Sequence, residues 1–147
     1  MNADSYRRRV NTVNKIISGL QRAGIAFGPM QLLTVRGRRT GKLLTFPIAV
    51  NELGGGRYIV QAFPKAAWVA NVRAADTVTL ARGRKTSTAR LVEVPVPDRG
   101  PLLRELVETS PASVGQRFVT TGLADLPTPE GVAAAADRIA VFSVEPA

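Results

Sequence analysis

Residues 32–62 read LLTVRGRRTGKLLTFPIAVNELGGGRYIVQA. Three apolar, β-branched runs stand in this stretch, at 32–35, 43–50 and 58–62, separated by glycine-bearing segments at 37–41 and 54–56. Runs of this length and composition, bounded by turn residues, are read as successive strands. Outward toward the C-terminus, residues 65–75 hold helix formers with Ala67, Trp68, Val69 and Val72 distributed around the wheel, and Thr77, Val78, Thr79 and Leu80 then alternate. That predicts a short helix followed by a strand. Gly83-Arg84 is a tight turn before 85–94, which completes a hairpin, and Pro95, Pro97 and Gly100-Pro101 stop the sheet. Leu102, Leu103, Leu106 and Val107 spell an amphipathic helix, with Asp98 as its cap and Pro111 as its breaker. A weaker helical period follows around Phe118 and Val119, residues 130–138 are Ala-rich enough for a turn or two, and 139–144 is a closing strand. Strands cluster early with one short helix between them, so the class is a mostly antiparallel α+β barrel or sheet rather than a doubly wound fold.

Toward the N-terminus, Val10, Val13, Ile16, Ile17 and Leu20 recur at helical spacing from Asp4 or Ser5 to Gly24, with Arg7, Arg8, Lys15 and Arg22 mostly elsewhere on the wheel. Residues 1–24 thus predict a basic amphipathic helix, which either packs on its own domain or lies on an anionic bilayer. The 147 residues suit one domain over 1–147 with a substantial core, and a hydrophobic fraction of 45% is that of a globular chain. No stretch reaches the roughly 20 apolar residues of a membrane span, nor is there a secretory signal pattern, so the expected location is cytoplasmic.

Cysteine and histidine are both absent. That removes disulfides, Cys-based zinc sites, cysteine nucleophiles and Ser-His-Asp triads, and leaves no ordinary transition-metal site. Any chemistry falls to carboxylates, Lys, Tyr, hydroxyls, backbone or a cofactor. The net charge is +9, and Asp4 is the only acid before Glu52, whereas residues 5–51 carry Arg7, Arg8, Arg9, Lys15, Arg22, Arg36, Arg38, Arg39 and Lys42. The field is local and calls for an anion: a phosphorylated cofactor, a nucleic-acid backbone or an anionic membrane. Composition does not choose among them, and a merely solvated basic face stays open.

The densest motif is Arg36-Gly37-Arg38-Arg39-Thr40-Gly41-Lys42, between two strands. Glycines let backbone N–H groups converge on oxygen atoms, guanidinium forks grip phosphate or carboxylate, and Thr40 adds an uncharged donor. It is not a Walker loop, because Gly41-Lys42 runs on into Leu43 and strand-like sequence instead of opening a helix. A second constellation, Ala62, Phe63, Pro64, Lys65, Trp68 and Asn71, suits a planar ligand: a lysine near a helix start, an indole plate and an amide. A sole tryptophan such as Trp68 is more often a core anchor than a ligand plate. Arg82, Arg84, Lys85 and Arg90 form a third basic patch around the hairpin turn, but without interleaved aromatics it does not read as a nucleic-acid surface.

Leu32-Leu33-Thr34-Val35, Gly37-Arg38-Arg39-Thr40-Gly41-Lys42, Pro47 and Trp68-Val69-Ala70-Asn71-Val72-Arg73-Ala74, in that order, resemble the deazaflavin-dependent nitroreductase and quinone reductase family over roughly residues 10–145. The resemblance implies a split β-barrel similar to FMN-binding oxidases, binding of coenzyme F420, and an actinobacterial setting. It places phosphate and oligoglutamate contacts on Arg38, Arg39, Thr40, Gly41 and Lys42, with Lys65 a further candidate. It puts the deazaflavin ring near Phe46, Pro47, Ala62, Phe63, Trp68 and Asn71. Leu44 stands where many relatives carry arginine, and Phe46 where a smaller or polar residue is common. Phe63-Pro64-Lys65 replaces a glycine- or serine-containing stretch. With no tyrosine after Tyr58, a substrate pocket would have to use Phe118, Thr120 or Thr121.

The implied activity is hydride transfer from reduced F420 to a quinone, an activated alkene or a nitro compound, the cofactor carrying the chemistry. Solvent, or the Thr120 or Thr121 hydroxyl, would give the proton. Leu44 and Phe46 keep an FMN- or haem-binding barrel open, and the N-terminal helix keeps open a non-catalytic lipid-binding protein. A homodimer is usual among such barrels.

Overall fold

A computed structural model describes residues 30–147. The helix expected over 1–24 lies outside them. Seven strands are arranged as β1 (Met30–Arg36), β2 (Leu43–Ala49), β3 (Asn51–Leu53), β4 (Gly56–Val60), β5 (Val78–Arg82), β6 (Lys85–Glu93) and β7 (Val141–Pro146). Four α-helices accompany them: α1 (Ala67–Ala74), α2 (Val96–Glu108), α3 (Ala112–Thr120) and α4 (Pro129–Ala133). The sheet order is β2-β1-β5-β6-β7-β4-β3, and every neighbouring pair is antiparallel.

That order dictates a curled sheet. The two edge strands, β2 and β3, follow one another in sequence with only Val50 between them. Laid flat, seven strands would hold their edges about 29 Å apart. Two residues of chain reach about 7 Å. The sheet therefore rolls until its edges meet at Val50, which is buried, and the result is a split barrel. Sequence reading put 43–50 in one strand and missed β3, because Val50 continues the β-branched run across the point where the chain changes edges. The β3–β4 hairpin closes through Gly54 and Gly55, at φ +55° and +81°, a pair of left-handed residues that glycine supplies without steric cost.

Two cores result. Leu33, Val35, Ile59, Leu80 and Phe142 fill the inside of the curl, and α1 covers it with Val69 and Val72. Leu53, Leu103, Leu106, Phe118, Val132 and Ile139 pack outside, among the helices. Strand β7 serves both, since successive side chains point to opposite faces: Phe142 and Val144 join the first core and Val141 the second.

The prolines after β6 do more than stop the sheet. Helix α2 starts at Val96 with Pro95 as its N-cap and Pro97 in the first turn, where a missing N–H costs nothing, and it runs on through Pro101. Asp98 is thus a first-turn acid and not the cap. Arg99 is buried, donating to Val94 O at 2.8 Å, Ala136 O at 3.1 Å, Ile139 O at 3.2 Å and Glu93 at 3.0 Å. Among the described residues no helix is long and apolar enough to cross a membrane.

Candidate functional site

The β1–β2 connection is wound tightly on itself. Gly37 N–H donates to Lys42 O at 2.7 Å and Gly41 N–H to Gly37 O at 2.9 Å, with Gly41 at φ +74°. Lys42 N–H donates to Thr40 Oγ1 at 3.3 Å, and Arg36 Nη1 to Gly41 O at 2.8 Å. The N–H groups of Gly37, Gly41 and Lys42 are therefore spent on closing the loop. These three are thus not offered to an anion, whereas the side chains of Arg38, Arg39 and Lys42 are all exposed and carry that capacity.

The loop is bound to α1 by one residue of each. Asn71 Oδ1 accepts from Arg38 N–H at 3.2 Å and from Arg38 Nη1 at 2.8 Å, across 33 positions of sequence. Asn71 is 4% exposed. An amide oxygen accepts and an amide nitrogen only donates, so the two Arg38 donors identify the atom they meet as oxygen and turn Nδ2 away. Among the described residues no acceptor meets Nδ2. A buried donor left unmade costs about 1–3 kcal/mol, so this amide is poised to donate to a group beyond the described residues.

Trp68 precedes Asn71 by three positions, so the two share a face of α1. Its ring centroid lies 6.3 Å from that of Phe46 on β2 and 5.6 Å from that of Phe142 on β7. Trp68 and Phe46 are half-buried at the margin of the first core. Pro47 follows Phe46 on β2, where an edge strand tolerates a residue without an N–H.

After β4, Ala62 and Phe63 are half-buried, and Gln61, which sequence reading passed over, governs their path. Gln61 is buried. Its Nε2 donates to Phe63 O at 2.8 Å, its Oε1 accepts from Ala140 N–H at 2.9 Å, and its own N–H donates to Ala140 O at 2.9 Å. A lone Gln at the end of an apolar run was the available signal. Lys65 lies just before α1 at φ +56°, a left-handed conformation that a side-chain-bearing residue adopts at a cost of about 1 kcal/mol or more.

Among the described residues, no acid pairs with Arg36, Arg38, Arg39, Lys42 or Lys65, whereas the ion pairs Arg73–Glu93, Arg99–Glu93, Arg104–Glu130 and Arg138–Asp125 all lie elsewhere. The fold thus brings together Arg38, Asn71, Trp68 and Phe46 and leaves the loop cations without counterions among the described residues.

It does not bring Phe118, Thr120 and Thr121 to them. Phe118 is buried in the second core, among the helices, and Thr121 is buried with its hydroxyl donating to Phe118 O at 3.4 Å. Thr120 accepts from Gln116 Nε2 at 3.5 Å. Phe118 and Thr121 thus pack at the C-terminal end of α3, where Phe118 belongs to the second core. An aromatic on a helical period marks a core face as readily as a pocket, and here it marks the core. A cleft of about 310 Å³, lined in part by Gln31, Glu52, Arg57, Arg82 and Ser110, opens at the other end of β1. Five strand residues separate Gln31 from Arg36, or about 17 Å. Among the described residues no cluster of three or more acidic side chains is placed to hold a metal ion.

Residues 4–125 match the family described as F420H(2)-dependent quinone reductase. A solved structure of an F420-H2 dependent reductase, FDR-A, is 25% identical over 80% of this chain and 94% of that chain, with a TM-score of 0.52. A structure described as a domain-swapped dimer is 22% identical over 93% of this chain and 99% of that one, with a TM-score of 0.50, and shares the fold. So does Atu2129 of Agrobacterium tumefaciens strain C58, at 12% identity over 88% of this chain and 53% of that chain, TM-score 0.53. No curated protein matches the chain.

Proposed function

The chain belongs to the F420H(2)-dependent quinone reductase family and is an F420H2-dependent oxidoreductase; from that premise we propose that it reduces a quinone-type acceptor, holding the coenzyme between the 36–42 loop and α1. The observation that carries this reading is the Arg38–Asn71 contact, which sets a cationic loop beside a buried amide with an unmet donor. The donor set fits a ligand with a polyanionic tail and a planar, carbonyl-bearing head.

Arg38 and Arg39 meet tail phosphate or carboxylate with their guanidinium forks, Lys42 and Lys65 add point charges, and the Thr40 hydroxyl and the Gly41 turn complete the loop. Phe46, Pro47, Ala62, Phe63 and Trp68 provide apolar surface for the head and keep water from it. Bound there, the reduced deazaflavin supplies a hydride. The protein orients that head against the acceptor and favours the negative charge that grows on it, through a loop whose cations have no acidic partners among the described residues. Thr121 keeps its hydroxyl on a backbone carbonyl, which leaves solvent or the Thr120 hydroxyl to give the proton that completes reduction.

The test is turnover. Reduced coenzyme F420 is mixed with the protein and, in turn, a soluble quinone, an enone and a nitroaromatic, and its oxidation is followed by absorbance. Quinone reduction well above the protein-free blank, and slowed by Arg39→Ala, is expected. No rate above the blank with any acceptor overturns the proposal.

A further inference from the structure

Asn71 has two amide ends, and groups among the described residues engage only one of them. Oδ1 holds the backbone and the guanidinium of Arg38, while Nδ2, in a side chain 4% exposed, meets no acceptor among the described residues. The amide is not free to turn over, because rotation would set its N–H groups against two N–H donors of Arg38. Arg38 therefore fixes the direction in which Nδ2 donates, and Asn71 fixes the direction of the Arg38 guanidinium.

We infer that Asn71 couples recognition of the coenzyme's planar head to recognition of its anionic tail: Oδ1 positions Arg38 for the tail, and Nδ2 donates to a carbonyl oxygen of the head. This rests on the coenzyme reading of the site. Trp68 lies one turn before Asn71 on the same face of α1 and is half-buried against Phe46. An apolar plate with an N–H donor beside it matches a flat heteroaromatic ring edged with carbonyl oxygens. The loop cations already supply what a phosphate or carboxylate needs. The consequence is that Arg38 contributes to binding even a ligand that has no anion for it to touch.

The probe is a deazaflavin fragment that ends at its ribityl chain, without phosphate or glutamates, compared with whole oxidised coenzyme F420. Affinities for both are read from Trp68 fluorescence in the parent, Arg38→Ala, Asn71→Ala and the double variant, with thermal unfolding recorded for each. Asn71→Ala weakens the fragment about three- to tenfold, the scale of one neutral hydrogen bond. Arg38→Ala also weakens the fragment, and this loss vanishes in the Asn71→Ala background. Unchanged fragment affinity in Arg38→Ala, or losses that multiply in the double variant, overturn the coupling. Should Asn71→Ala not fold, Asn71→Asp carries the test: it keeps an acceptor for Arg38, loses both N–H donors and must weaken the fragment, and parent-like affinity overturns the inference. A parent protein that binds neither fragment nor coenzyme fails the coenzyme reading itself.

Discussion

Arg73 grips both carboxylate oxygens of Glu93, Nε to Oε1 at 2.9 Å and Nη2 to Oε2 at 2.6 Å. Arg73 lies in the last turn of α1 and Glu93 at the end of β6, and the buried Arg99 of α2 shares the same carboxylate at 3.0 Å. The helix that carries Trp68 and Asn71 is thereby tied to the second core. The Arg73 hydrogen bond above all, with the charges of Arg73 and Arg99 behind it, holds the Glu93 carboxyl below the usual carboxylate range, although its partial burial pulls the other way.

A pH dependence follows from that direction. The unfolded chain protonates Glu93 in the ordinary range while the folded chain resists, so the stabilisation is full above that range and is lost as pH falls through the lower folded value. Thermal unfolding followed from about pH 7 to about pH 3 should show Glu93→Gln less stable than the parent at the neutral end, with the gap narrowing toward acid. Parallel profiles would contradict this account of Glu93.

Gly115→Ala should destabilise, against the usual sign for such a change in a helix. A Cβ built at Gly115 would lie 2.1 Å from Pro127 O, a backbone atom with little room to give. A loss of about 1–3 kcal/mol, measured by denaturant unfolding, is the expected cost of forcing a methyl into that contact. Coenzyme affinity should be unchanged, since α3 packs in the second core.

Lys65→Gly should separate backbone from charge. Lys65 holds φ +56°, which glycine adopts freely, so the variant should unfold at the same temperature as the parent or slightly above it. Its affinity for oxidised coenzyme F420 should nevertheless fall several-fold, with a smaller response to salt, because one cation is gone. A variant that binds as well as the parent removes Lys65 from the site.

Much of the fold is written locally. The runs at 32–35, 58–62 and 77–82 and the hairpin at Gly83-Arg84 are patterns of neighbours, and the structure places strands or a turn at each. What escapes such reading depends on distant partners. Val50 looks like the tail of one strand, and only the sheet order shows that it joins two edges. Asp98 resembles a cap until Pro95 and Pro97 are seen to fit the first turn of α2. The site divides the same way. Its cations and its Trp68 and Asn71 are legible as residue types, whereas the contact of Asn71 with Arg38 is made across 33 positions and the Gln61 bond to Phe63 depends on where Ala140 lies. Phe118 is legible as an aromatic on a helical period, whereas its burial in the second core depends on partners distant in sequence.

The central claim, that the 36–42 loop and α1 hold the coenzyme, is tested most directly by titrating the protein with oxidised coenzyme F420 at low and physiological salt, with Arg39→Ala and Lys42→Ala beside the parent. Both side chains are exposed and without acidic partners among the described residues, so neither change should alter the unfolding temperature. The parent should bind saturably, with affinity weakened about tenfold or more by Arg39→Ala as charge-assisted hydrogen bonds are lost, and by a smaller factor by Lys42→Ala. Affinities for F420 that are the same in all three proteins would contradict it.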